Sequence, residues 1–127
     1  MSNQTELAWA AGFFDGEGST TAGHYRDRNH LQRQITMSVA QIDIIPLLRF
    51  KEAVQGGNII GPYQQKKTQL GRKEQWRWRT AGKDVKVILD KLWPYLCEPK
   101  KVQATEALQR YENWVPTKIE WNFDLPE

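Results

Sequence analysis

The stretch Ala10-Ala11-Gly12-Phe13-Phe14-Asp15-Gly16-Glu17-Gly18 packs small residues, two aromatic rings and two acids into one short segment. On a helix, Ala8, Gly12 and Gly16 are four residues apart and form a smooth stripe along one face. Leu7, Ala10, Ala11 and Phe14 recur at helical spacing, and Trp9 and Phe13 broaden the apolar surface. A first helix in a small domain normally keeps a polar face. This one has none, so a second copy of the chain is expected to cover it. Two such helices can approach until their backbones touch. Each then delivers its last acid, Glu17, to one small volume beside a two-fold axis.

Working outward, Asn3 and Glu6 read as a capping box that starts this helix, and Gly16 and Gly18 end it. Ser19 to Arg28 is polar and extended, with a turn around Asn29. From Leu31 to Gln41, Ile35, Met37 and Val39 alternate with Gln34, Thr36 and Ser38, the period of a strand with one wet face. Asp43 can cap a second helix running to Val54, with Pro46 tolerated in its first turn and Gly56-Gly57 as the stop. A third strand is expected over Asn58 to Lys67, a turn at Gln69 to Arg72, and a fourth strand to Thr80. In that last strand Trp76, Trp78 and Thr80 share one face, and Gln75, Arg77 and Arg79 the other. A third helix from Lys83 to Leu96, broken near Pro94, precedes a fourth that starts after Pro99 and runs to Glu112.

Helix, two strands, helix, two strands, helix, helix is an α+β order: an antiparallel sheet with helices on one face and polar side chains on the other. The uncovered face needs a polar partner, and base edges in a major groove match its Gln, Ser, Thr and Arg side chains. Residues 1–113 form one domain on this reading. Residues 114–127, with two prolines and two tryptophans, are a tail without an assigned role.

With 127 residues there is room for one modest core. The 39% hydrophobic and 26% charged content is that of an ordinary globular domain, with no apolar run near the roughly 20 residues a bilayer requires. Cys97 is the only cysteine, so no internal disulfide can form, and His24 and His30 lie too far from it in sequence to favour a zinc site. No secretory leader is evident at the start, and a cytoplasmic location in a bacterial, phage or organellar host compartment is the expectation. The net charge of +3 is a weak pointer to nucleic acid. The placement of Arg26, Arg28, Arg33, Lys66, Lys67, Arg72, Lys73, Arg77 and Arg79 in strands and turns is a better one.

The nine-residue segment resembles the LAGLIDADG motif. Further landmarks follow in the order of that family: Val39-Ala40-Gln41, the helix ending in Gly56-Gly57, Trp76-Arg77-Trp78-Arg79, and Pro94-Tyr95-Leu96 followed by Lys100-Lys101 and Gln103. The likeness runs from about Leu7 to Tyr111 and is to the single-motif, homodimeric homing endonucleases, whose core is αββαββα. It implies a metal-dependent double-strand break in a long pseudo-palindromic DNA site, staggered to leave 3′ overhangs, with Mg2+ or another divalent cation as the cofactor. No small-molecule cofactor and no membrane partner are implied.

Residue by residue, the resemblance makes Glu17 the metal-holding acid, with Gly16 beside it, and Glu in place of Asp is a common form of the motif. Gln41 corresponds to the polar residue that orients the attacking water. Lys100, or Lys101 if the spacing differs by one, corresponds to the active-site lysine. Asp15 matches the first acid of the motif and is assigned to helix termination and interface hydrogen bonds. The dimer interface would comprise Ala8, Ala11, Gly12, Asp15 and Gly16. DNA contacts would come from Ser19, Thr21, Tyr25, Gln32, Gln34, Thr36, Ser38, Gln64, Lys66, Gln75, Arg77 and Arg79, with Lys67 and Lys73 meeting phosphates. Ile45 departs from the pattern, since some relatives carry an Arg there. Two other classes fit less well: a non-cleaving DNA-binding protein or RNA-splicing maturase on the same scaffold, and a structural dimerisation module.

Overall fold

A computed structural model describes residues 4–28, 30–64 and 74–113. Helix α1 (Gln4–Glu17) runs straight into a hairpin of β1 (Gly18–Asp27) and β2 (His30–Gln41). Helix α2 (Ile44–Val54) leads to a second strand pair, β3 (Asn58–Tyr63) and β4 (Gln75–Ala81). Helix α3 (Lys83–Leu92), a 3-10 turn at Trp93–Tyr95 and helix α4 (Glu98–Asn113) complete the chain's described part. The expected α+β order is therefore the observed one. Asn3, the turn at Gln69–Arg72 and residues 114–127 lie outside the described residues.

The four strands form one antiparallel sheet in the order β1-β2-β4-β3. Alternation in β2 places Ile35, Met37 and Val39 against the helices, each at most 1% exposed, joined by Trp78 from β4. Onto this face α1 brings Ala10, Ala11 and Phe14, α2 brings Leu47, Phe50 and Val54, and α3 brings Val85, Leu89 and Leu92. Phe50 meets the edge of Trp78 at 4.7 Å between ring centroids and stacks on Phe14 at 6.2 Å, linking sheet, α1 and α2 in one aromatic run.

Local signals explain most helix ends. The Asp43 side chain accepts a hydrogen bond from the Ile45 N–H at 2.9 Å, the cap expected of it. The stop of α2 differs from expectation. Gln55, not a glycine, takes the left-handed position (φ 57°), and its N–H bonds to the Lys51 carbonyl. Gly57 also has positive φ, and any Cβ there would run into the Trp78 indole, so this glycine serves a close approach. Helix α3 ends at Leu92, four residues earlier than expected, because Pro94 has no N–H to continue it. Helix α4 starts at Glu98, ahead of Pro99, since a proline in the first turn removes a donor that has no partner anyway.

One expected interface residue is misplaced. Ala11 is fully buried within the chain and cannot face a second copy. At about 100° per residue it falls on the inner side with Ala10 and Phe14, while Ala8 and Gly12 turn outward.

Candidate functional site

The sheet face away from the helices is set by strand register. Ser19 lies opposite Ser38, Thr21 opposite Thr36, Gly23 opposite Gln34 and Tyr25 opposite Gln32. Across the next pairing Ser38 faces Arg79 and Ala40 faces Arg77. Directly paired residues share a face. The expected side chains of β1, β2 and β4 thus stand together, none of them buried, with Gln75 further along β4. Gln64 is exposed just past β3, and Lys66, Lys67 and Lys73 lie outside the described residues. Sequence reasoning missed Asn58 and Ile60, which pair with Arg79 and Arg77 and extend this face onto β3. Arg33, counted among the basic strand residues, belongs to the opposite side. Its guanidinium donates to the Tyr111 carbonyl at 3.0 Å and lies 4.7 Å from the Tyr111 ring centroid.

At one end of the sheet three elements bring Glu17, Gln41 and Lys100 to the same region. Glu17 is the last residue of α1, exposed, one residue before Gly18 opens β1. A Cβ at Gly18 would fall inside the Phe14 ring, so the chain can pass from helix to strand this tightly only with glycine there. Gln41 is the last residue of β2, two beyond Val39, the partner of Gly18. It is half-exposed, and its pairing with Trp76 puts it on the helix side of the sheet.

Lys100 arrives through two long-range ties. The Asp15 carboxylate accepts the Cys97 N–H with both oxygens at 3.1 Å, and the Gln103 Oε1 accepts the Thr20 N–H at 3.1 Å. Lys100 sits midway between Cys97 and Gln103, just as Glu17 sits between Asp15 and Thr20. On α4, Lys100 lies on the side of Gln103, Ala104 and Ala107, the side turned to the rest of the chain. Lys101 turns away and stands 5.7 Å from the Trp93 ring centroid. Asp15, expected at the interface between copies, thus spends its carboxylate inside its own chain. The same carboxylate accepts from the Cys97 thiol and, by this hydrogen bond and its charge, pushes that thiol above its ordinary value of 9.0.

Outward from this end runs the small-residue stripe. Ala8, Gly12 and Gly16 are exposed, and among the described residues no neighbouring element comes within 4 Å of a Cβ built on Gly12 or Gly16. Beside α1, helix α2 carries two exposed apolar side chains, Ile45 and Leu48, at 62% and 48% exposure. Arg49, one residue past Leu48, ties α2 to α1, with its guanidinium 2.8 Å from the Glu6 carboxylate and 4.0 Å from the Trp9 ring centroid. This pairing lowers the Glu6 pKa.

A hard divalent cation takes oxygen ligands. Glu17 offers one exposed carboxylate, and Gly16 beside it lies in open space on the exposed side of α1. Among the described residues no three His, Cys, Asp or Glu side chains come together.

No family model matches the chain, and no curated protein matches it. Solved structures do. The homing endonuclease I-CvuI, in complex with the I-CreI target in the presence of Mg, superposes with a TM-score of 0.69 at 23% identity, over 86% of this chain and 67% of that one. The group I intron-encoded homing endonuclease I-CeuI, complexed with DNA, gives 0.65 at 15% identity, over 88% of this chain and 56% of that one. The LAGLIDADG homing endonuclease I-GzeII, in complex with its DNA target, gives 0.65 at 17% identity over 84% of this chain, which spans 35% of that protein. At these identities what is shared is the backbone architecture. The chain has the fold of the LAGLIDADG homing endonucleases.

Proposed function

We propose that two copies of this chain form a site-specific endonuclease that hydrolyses both strands of a pseudo-palindromic DNA site and leaves 3′ overhangs. One observation carries this reading. Gly12 and Gly16 stand on the exposed side of α1 with no described residue near them, and each costs about 1 kcal/mol of helix stability relative to alanine. Among the described residues of one chain that cost has no return. A second α1 packed backbone to backbone supplies it, and the same contact brings two Glu17 carboxylates together. Ile45 and Leu48 widen the exposed apolar surface of α2, which makes sense of an apolar residue at a position where some relatives carry Arg.

In this reading the two Glu17 carboxylates hold divalent cations between protein and phosphate, with Gly16 next to them. Such ions activate water and neutralise the leaving oxygen in an in-line displacement. Gln41 orients the attacking water with its amide, and Lys100 faces the charge that builds on the phosphate. Arg77 and Arg79 read guanine edges from the sheet, while Ser19, Thr21, Tyr25, Gln32, Gln34, Thr36, Ser38, Gln64 and Gln75 supply donors and acceptors to neighbouring bases. DNA in three solved complexes of the same fold, one of them with Mg and one with Ca, supports the polymer and the ion class.

The test is cleavage of a pool of long randomised duplexes with magnesium. Wild type is expected to cut a subset, and Glu17→Gln to bind that subset without nicking it. Binding without nicking by both proteins overturns the enzyme reading and leaves a DNA-binding module.

A further inference from the structure

Helix α4 is held to the sheet by apolar and polar contacts together. Over its 16 residues it fully buries only Ala104 and Ala107, with Leu108 and Tyr111 partly buried against the core. Three polar ties also fix it along its length: Cys97 N–H to Asp15 at its start, Thr20 N–H to Gln103 one and a half turns on, and Arg33 to the Tyr111 carbonyl near its end. The first two ties bracket Lys100 on one side and Glu17 on the other.

Resting on the reading above, we propose that Asp15 and Gln103 are positioning residues: by tying Cys97 and Thr20 they fix where Lys100 of α4 stands relative to Glu17 of α1. Gln103 serves because β1 is an edge strand, and the Thr20 N–H points away from β2 toward α4. A side-chain oxygen that accepts this amide turns an open edge into a fixed point for the helix. Asp15 serves because a carboxylate with both oxygens on one N–H holds the start of α4 in rotation as well as distance. Neither residue touches substrate in this arrangement.

The experiment compares wild type, Gln103→Leu, Gln103→Glu and Asp15→Ala on a duplex that wild type selects from the randomised pool. It measures the DNA Kd, the single-turnover cleavage rate with magnesium, and amide exchange at Thr20. A displacement of about 1 Å costs up to roughly 100-fold in rate, so Gln103→Leu and Asp15→Ala are expected to lose tenfold or more in rate with Kd nearly unchanged. Gln103→Glu keeps an acceptor oxygen and is expected to hold most of the wild-type rate, while the Thr20 amide exchanges faster only in Gln103→Leu. Rates near wild type after the Thr20 amide has opened overturn the proposal. So does a Kd that weakens in step with the rate, or a Gln103→Glu variant no better than Gln103→Leu. A wild type that cuts nothing sinks the endonuclease reading itself, and that is seen before any variant is compared.

Discussion

Cys97 reports on its neighbour. Its thiol donates to the Asp15 carboxylate, and both the hydrogen bond and the negative charge disfavour the thiolate. Since the thiolate is the nucleophile, alkylation of this exposed thiol should reach half its maximal rate above pH 9.0, later than a free cysteine does. Asp15→Asn removes the charge and is expected to move that midpoint back toward 9.0. A group whose folded pKa is raised favours the protonated form, so this contact stabilises the fold below pH 9.0 and is lost as pH rises through the folded value. An unchanged midpoint in Asp15→Asn would show that the carboxylate and thiol do not meet in solution. At this scale the sequence said little. Asp15 and Cys97 lie 82 residues apart, Thr20 and Gln103 83, and neither pair leaves a local pattern to read.

At the scale of elements, periodicity carried most of the information. The alternation in β2 and the Trp and Arg alternation in β4 gave both faces of the sheet, because one face is dry and the other wet. In β3 the register slips between Ile60 and Tyr63, so that Tyr63 stands opposite Gln75, a change of face that no sequence period shows. Helix α1 shows the opposite difficulty. Ala8, Ala11 and Gly12 are alike as residue types, and only the packed helix shows that Ala11 faces Phe14 and the core while the other two face out. That division makes a prediction about Gly12. A leucine side chain there meets nothing among the described residues of the single chain, so at concentrations where both proteins are monomers Gly12→Leu should unfold at the wild-type temperature or slightly above it, given about 1 kcal/mol of improved helix propensity. In the proposed dimer the same side chain would hold the helices apart. Sedimentation should therefore find a monomer, and DNA cleavage should vanish. A Gly12→Leu protein that sediments as a dimer would place the seam elsewhere.

For the whole molecule, the fold class was legible because the order of elements is written in short-range signals: the Asp43 cap, the proline at Pro94, and the two strand pairs separated by a helix. The candidate site at the end of the sheet was legible only as a set of names, since its arrangement comes from three elements that are distant in sequence. The described part of one chain offers Glu17 at the end of an uncovered stripe and no cluster of acids around it. Below the concentration at which dimers form, initial cleavage is then expected to rise with the square of chain concentration, read as a slope of two on a log–log plot. A slope of one would mean that a lone chain cuts. If the proposed dimer holds, half a centre per polypeptide would also work as a dosage gate: at a few copies per cell, solitary chains would leave DNA whole, and breakage would begin only once expression crosses a threshold.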